Sequence, residues 1–416
     1  MTATLMAPAD VVERPAHRDP NVLRWLAAYT ASMMGDSVYY IALSWAAVQA
    51  GSPSQAGVVM AVSALPRALL MLVGGVIADR LGPRRVVIGS DAVRCAAVLA
   101  VAALLFVTTP GLWPLALLAL VFGTVDAVFM PAVGALPARV TSRGQLARVQ
   151  GMRGLGIRFA SVLGGPLGGL AVAVGGASAA FTLSGLLIAV SVPLLVFVRV
   201  RELPADDRPT ARAGTAWSDL TAGLGYIRRH RVLAPLMLAI ALGDLGFVGP
   251  LNVGLTLLAD ERGWGAAGMG SVLAGFGVGA GAASLLLTVR GRLPHAGQVA
   301  AYAILAGSVA IGALAFVPSV VAAVAVALLI GLLAGLSGAM CGALLQTQAD
   351  PAYLGRVTAV SSLVSLGFAP LSMPLSAAAI GIWGTGPVFV ASATVCGLGG
   401  VVVLWVRDLR RAELPE

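Results

Sequence analysis

Four ionisable side chains stand where water should be scarce. Asp36, Arg67, Asp126 and Asp244 each interrupt an apolar run of about 20 residues, the length that crosses a bilayer as a helix. Asp36 follows Arg24 by 12 positions and Arg67 precedes Asp79 by 12, while Asp126 precedes Arg139 by 13 and Asp244 follows Arg231 by 13. At ~1.5 Å of rise per helical residue, all four lie ~18–20 Å from those flanking charges, near the middle of a hydrocarbon layer ~30 Å thick. An unpaired charge at that depth costs at least ~2.5–3.5 kcal/mol on insertion scales, so each must face a counter-charge or a water-filled cavity. Asp36 and Arg67, at equal depth on consecutive antiparallel runs, are expected to pair and fix helix register. Asp126 and Asp244 have no such neighbour in sequence and are the expected seats of a proton or of a substrate's charged group. Three acids against one Arg leave two carboxylates in excess, the condition a proton carrier requires. Tyr39, Tyr40 and Trp45 lie on the run that carries Asp36 and can stack on an aromatic or cationic ligand, or equally on lipid and core. The three His (His17, His230, His295) fall in polar connections, and Cys95, Cys341 and Cys396 lie in apolar runs without CxxC spacing. No metal, disulfide framework or cofactor is therefore expected.

The elements that position these residues follow from composition. Of 416 residues, 58% are hydrophobic and only 11% charged, and the mean hydropathy of +0.93 excludes a soluble enzyme, a secreted domain and a disordered regulator. Apolar runs bounded by charge or Gly/Pro turns predict spanning helices near 24–48, 55–78, 86–108, 112–137, 149–173 and 177–198, then near 233–258, 266–289, 297–316, 320–345, 357–381 and 386–406. That is an all-α membrane protein of twelve spans in two six-helix bundles, at 24–199 and 233–406. The bundles are flanked by tails at 1–23 and 407–416 and joined by a polar linker at 200–232. All 27 basic residues are Arg, a usage that points to a GC-rich bacterial genome, and they crowd one set of connections. The opposite connections (GSPSQ, TTPG, GGAS, VPS, GTG) lack Arg, apart from Arg262 beside Asp260 and Glu261. By the positive-inside bias both termini and the linker are cytoplasmic, in the bacterial inner membrane. The net charge of +9 is this bias and not a nucleic-acid footprint. Within the linker, WSDLTAGLGYIRRHRVL places Trp217, Leu220, Leu224 and Ile227 at helical spacing opposite a basic end, as in a helix lying on the membrane surface.

The two halves repeat in one register. Adding 208, half of 416, carries Gly35-Asp36 onto Gly243-Asp244, Gly134-Ala135-Leu136 onto Gly342-Ala343-Leu344, Arg148-Val149 onto Arg356-Val357, Pro166-Leu167 onto Pro374-Leu375 and Phe181 onto Phe389, without a gap. Two like-oriented six-helix halves form a parallel repeat, the organisation of rocker-type transporters.

Three motifs carry a family resemblance. Between spans two and three, Gly75-Val-Ile-Ala-Asp79-Arg80-Leu-Gly82-Pro83-Arg84-Arg85 resembles the cytoplasmic loop signature of the major facilitator superfamily, with Pro83 where a basic residue is usual. Gly82 and Pro83 suit a tight turn, and Asp79 with Arg80, Arg84 and Arg85 suits a latch that closes the cytoplasmic side. In span five, Gly154, Ser161, Gly165-Pro166 and Gly168-Gly169 resemble the superfamily's antiporter motif, with Ser161 for one Gly and the last pair one residue early. Small residues and a Pro make that segment a candidate hinge. GDSVYYIALSW, SALPRALLMLVGGVIADR and LLQTQADPAYLGRV resemble the twelve-span drug:proton antiporter branch, which includes macrolide and enterobactin-type siderophore exporters, although the Arg-x-x-x-Gly motif common in span four is missing.

The resemblance implies a secondary transporter, not an enzyme. It implies proton-driven export of small amphipathic molecules, drug-like or siderophore-like, by a monomer in the lipid bilayer, with spans one, four, seven and ten lining a central cavity. Asp36, Asp126 and Asp244 occupy the first three of those spans, and Ser337 and Met340 flank Ala334 in the fourth. A proton-coupled importer of a small metabolite is the competing expectation; a non-transporting receptor leaves the midplane acids unexplained. No GxxxxGK[ST] phosphate loop is present to support an ATP-driven pump.

Overall fold

The computed structural model describes residues 15–108, 111–142, 145–201, 216–290, 295–350 and 353–413. Among them, helices carry nearly all of the chain: α1 (Pro20–Ala50), α2 (Pro53–Leu81), α3 (Pro83–Val107), α4 (Leu112–Ala135), the single turn α5 (Pro137–Val140), α6 (Leu146–Val196), α7 (Ala216–Arg229), α8 (Leu233–Gly249), α9 (Leu255–Glu261), α10 (Gly265–Arg290), α11 (Ala296–Leu314), α12 (Val320–Gln348), α13 (Leu354–Trp383), α14 (Thr385–Trp405) and the short α15 (Arg407–Arg410). Eight stretches are by themselves long and apolar enough to cross a bilayer, and α1, α2 and α13 match them in length. One of the eight, in α6, is two crossings: Gly175 leaves helical geometry and Gly176 sits at φ 69°, ψ −168°, reversing the chain. Span seven is likewise composite, with α8 and α9 joined through a π-turn at Pro250–Gly254. Pro250 has no N–H for the helical ladder, which is the local cause of the wider turn. Twelve crossings result, the number the apolar runs predict, and an even number leaves both ends of the chain on one side, called here the terminal side.

Helix ends follow their sequence signals. The Asp19 carboxylate accepts from the Asn21 N–H at the start of α1, and Ser52 and Gln55 close a capping box ahead of α2, with Pro53 at the first helical position. Gly82, at φ 84°, ends α2 and starts α3 in one residue. On the terminal side Asn21 and the backbone of Arg199 exchange two hydrogen bonds, at 2.8 and 2.7 Å, tying the first span to the sixth.

The bundles meet along three seams, all in the halves of the spans far from the terminal side. Ser44 Oγ lies 2.6 Å from Thr256 Oγ1, and Gln49 Nε2 donates to Asp260 Oδ1 at 2.9 Å, joining α1 to α9. Gly57 of α2 packs against Pro374 and Ala377 of α13. In the third seam, a Cβ on Gly165 of α6 would lie 2.8 Å from the Gly270 carbonyl oxygen of α10, and a Cβ on Gly270 would strike the Gly165 carbonyl in return. The far side is closed by direct helix contact.

Candidate functional site

Two charged sites occupy one level. The first lies inside the N-terminal bundle and centres on Arg94 of α3, which is wholly buried. Its Nη1 donates to both Asp36 carboxylate oxygens, at 3.0 and 2.9 Å, and its Nη2 donates to Ser32 Oγ at 2.9 Å and to Asp91. Asp91 also accepts from Ser32 Oγ, at 3.1 Å, and from Ser191 Oγ. The guanidinium carbon stands 3.9 Å from the Phe129 ring centroid and 5.3 Å from that of Phe122, so the cation is covered by aromatic faces where it is not hydrogen-bonded. Asp126 of α4 joins from the other side. Its Oδ2 accepts from Arg67 Nη1 at 3.3 Å, its Oδ1 lies 3.6 Å from Arg94 Nη1, and Arg67 donates in addition to Tyr40 Oη at 3.5 Å. Charge-assisted hydrogen bonds to several carboxylates make this a set of ion pairs that can exist away from water.

The expected Asp36–Arg67 pair is therefore corrected. Asp36 pairs with Arg94 and Arg67 pairs with Asp126, so Asp126 is not without a counter-charge. The ledger changes too. Within this cluster three carboxylates (Asp36, Asp91, Asp126) face two guanidinium groups (Arg67, Arg94), one acid in excess, and Asp244 stands apart from it.

Asp244, the repeat-equivalent of Asp36, stands in different surroundings. It faces a cavity of about 610 Å³ between α8, α10, α11, α12 and α14, closed on one side by α6. Its Oδ2 is buried without a hydrogen-bond partner. The 208-residue offset explains why a cavity exists here and a packed cluster there. Arg94 corresponds to Tyr302, Asp126 to Ala334, Phe122 to Ile330 and Phe129 to Ser337, and three of those replacements, Ala334, Ile330 and Ser337, line the cavity. The groups that surround Asp36 are thus absent around Asp244, and space takes their place. A second chamber of about 220 Å³ lies farther from the terminal side, between the bundles, with Tyr40, Asn252 and Thr256 in its wall. Phe276 borders both chambers and lies beside Phe247, ring centroids 5.6 Å apart.

Of the expected cavity residues, Ser337 lines the larger chamber and Tyr40 the smaller. The others pack in the core, which for Tyr39 and Trp45 is one of the two expected placements. Tyr39 is fully buried and stacked on Phe122 with centroids 3.7 Å apart, Met340 belongs to the core under the linker helix, and Trp45 is partly buried among core residues. In the loop signature, Gly82 makes the turn, and Arg84 donates from Nε to the Leu195 carbonyl at 3.3 Å and from Nη2 to the Val196 carbonyl, capping span six. Arg80 and Arg85 are exposed, Gly75 is half-buried, and the side chain of Asp79 lies outside the described residues. In span five, Gly165 and Gly169 approach the α10 backbone, Gly168 packs on Ile41, Pro166 is carried within continuous helix, and a Cβ on Gly154 would meet open space. The segment is an inter-bundle seam. The linker helix α7 packs on α13 and α8, with Ile227 buried, Leu224 exposed and Tyr226 stacked on Tyr353 at 4.4 Å; residues 202–215 and the side chains of Trp217 and Leu220 lie outside the described residues.

Residues 25–369 match the profile of the Major Facilitator Superfamily, and the chain belongs to that family. Among curated relatives, the enterobactin exporter EntS of Shigella boydii is 25% identical over 351 residues, covering 82% of this chain and 80% of that protein. Among solved structures, the nucleoside transporter NupG aligns with a TM-score of 0.73 at 12% identity, covering 93% of this chain and 100% of that one. A bacterial homolog of the human lysosomal transporter Spinster, in an inward-facing and unoccupied conformation, aligns with a TM-score of 0.65 at 15% identity over 96% of this chain and 97% of that one. The protein is a membrane transporter with the fold of that superfamily, not an enzyme.

Proposed function

We propose that the protein exports small amphipathic molecules across the bacterial cytoplasmic membrane in exchange for protons, by rocking its two bundles about the central chambers. The observation that carries this reading is Asp244: a midplane carboxylate on a drug-sized cavity, with an oxygen that has no partner, while the acids of the other bundle are held by Arg. A group so placed is free to take a proton or the cationic end of a substrate, one at a time, and that exclusion is what couples antiport. The Arg distribution argues that the terminal side is cytoplasmic, so the larger chamber, with its far side closed by the three seams, receives substrate from the cytoplasm. Similarity to an enterobactin exporter supports the outward direction. The excess acid of the Arg94 cluster is the second proton seat.

The test is uphill transport in everted vesicles with a dye and drug panel, reading substrate-dependent proton release. Asp244→Asn and Asp126→Asn keep shape and polarity. Each should abolish accumulation driven by a pH gradient while leaving downhill, substrate-driven movement measurable. Full uphill accumulation by both variants would remove the proton assignment.

A further inference from the structure

Arg158 has no assigned role in the reading above, and its placement gives it one. It sits on the first arm of α6, in an apolar stretch, and its side chain borders the larger chamber from the opposite bundle. Among the described residues it makes no ion pair, although Arg67 and Arg94 at similar depth are both matched to carboxylates.

Contacts with α1 set its level. Gly156 abuts Thr30, Gly164 abuts Ser37 and Gly168 abuts Ile41, a register steady to within one residue that brings Arg158 level with Ala31 and Ser32. The pairs Ser44–Thr256 and Gln49–Asp260 run in a second register, again steady to within one residue, that brings Asp244 level with Ser32 and Met33. One cation and one anion, from different bundles, thus share one chamber at one depth without being within ion-pairing distance of each other.

We propose that this chamber is built for a zwitterionic amphipathic substrate, with the anionic group on Arg158, the cationic group at Asp244, and the apolar body against Phe247, Phe276 and Ile304. The inference rests on the reading of the chamber as the substrate site. Arg158 is exposed to the chamber and makes no ion pair there. Two unmatched opposite charges in a mostly apolar wall are thus both satisfied by a ligand that carries both signs, whereas a simple cation leaves the guanidinium unmatched and a simple anion leaves the carboxylate unmatched. Because the two residues belong to different bundles, a zwitterion also bridges the parts that move, so occupancy is communicated to the rocking step through the ligand itself.

The test uses purified full-length protein in lipid nanodiscs and three fluorescent probes on one scaffold: Nε-dansyl-L-lysine, its methyl ester, which lacks the carboxylate, and its Nα-acetyl derivative, which lacks the ammonium. Binding is followed by anisotropy. The zwitterion should bind about tenfold more tightly than either single-charge analogue, a charge-assisted hydrogen bond's worth of discrimination. Arg158→Gln should abolish the preference of the zwitterion over the ester, without weakening the ester, which no longer shares the chamber with a like charge. Asp244→Asn should abolish the preference of the zwitterion over the acetyl form, without weakening the acetyl form, which no longer meets a like charge. Arg158→Lys, which keeps the charge, should keep the preference and so separates lost recognition from lost folding. Equal losses for all three probes in Arg158→Gln, no preference for the zwitterion, or no binding of any probe would overturn the proposal. Selective binding without proton-driven export would overturn the export reading alone.

Discussion

Arg94 meets three acids, one serine and two aromatic faces with no access to solvent, so its cost of burial is offset only while every partner is present. Arg94→Gln should strand Asp36 and Asp91 and cost about 3 kcal/mol or more in stability. Thermal unfolding in detergent checks this, and Asp36→Asn added to Arg94→Gln should recover part of the loss. The same logic makes Arg67 and Asp126 a coupled pair in a double-mutant cycle, with an interaction of about 0.5–3 kcal/mol, while Arg67 and Asp36 should come close to additive. Strong coupling of Arg67 with Asp36 would contradict the pairing. Asp36, Arg67, Asp126 and Asp244 were legible because a charge inside an apolar run is conspicuous and because counting from the flanking Arg places all four at one depth. Arg94, Asp91 and Arg158 were not. They lie within about two turns of the terminal-side Arg clusters and pass for topology charges, since residue counting compares Cα depths and ignores helix tilt and the reach of a long side chain. Asp91 and Arg94, three apart on one helix face, were the signal available.

At the scale of helices, the span boundaries follow directly from hydropathy and from Pro, Gly and Ser at the ends, and the structure keeps them within a few residues. The meaning of the glycines inside helices depends on neighbours that no single run specifies. Gly165 and Gly154 belong to one sequence motif, yet a Cβ on the first would meet the backbone of α10 and a Cβ on the second would meet open space. Gly165→Ala should therefore force α6 and α10 apart, weaken the closed far side and shift the conformational population, whereas Gly154→Ala should change little and gain slightly in helix propensity. Alkylation of a cysteine introduced at Ser161, in the wall of the smaller chamber, reads the difference: faster labelling from the far side in the Gly165 variant, unchanged labelling in the Gly154 variant. The linker helix tells a similar story. Its helical spacing was evident, but the stacking of Tyr226 on Tyr353, which fixes it to α13, joins residues far apart in sequence.

For the whole molecule, the repeat has diverged in content while keeping its frame. One half fills its centre with ion pairs and aromatic rings; the other leaves its centre open around Asp244. Such an asymmetry suits a machine in which one bundle serves as a rigid body and the other holds cargo, provided that the seams between them open and close. If the terminal side is cytoplasmic, reporter fusions at Gly111 and Ser319 should register as external and a fusion after Arg208 as internal. Opening of the far side can be tested at its tightest polar contact, Ser44 with Thr256, whose hydroxyl oxygens are 2.6 Å apart. Cysteines at both positions, in a background where Cys95, Cys341 and Cys396 are replaced, should cross-link under mild oxidation because this structure already holds the two side chains together. The cross-link locks α1 to α9, so substrate can enter from the terminal side and cannot leave by the other. Uphill transport should fall to background after oxidation and return on reduction, while probe binding from the terminal side persists. Transport that continues through a complete cross-link would show that these seams never part, and rocking about the central chambers would have to be abandoned.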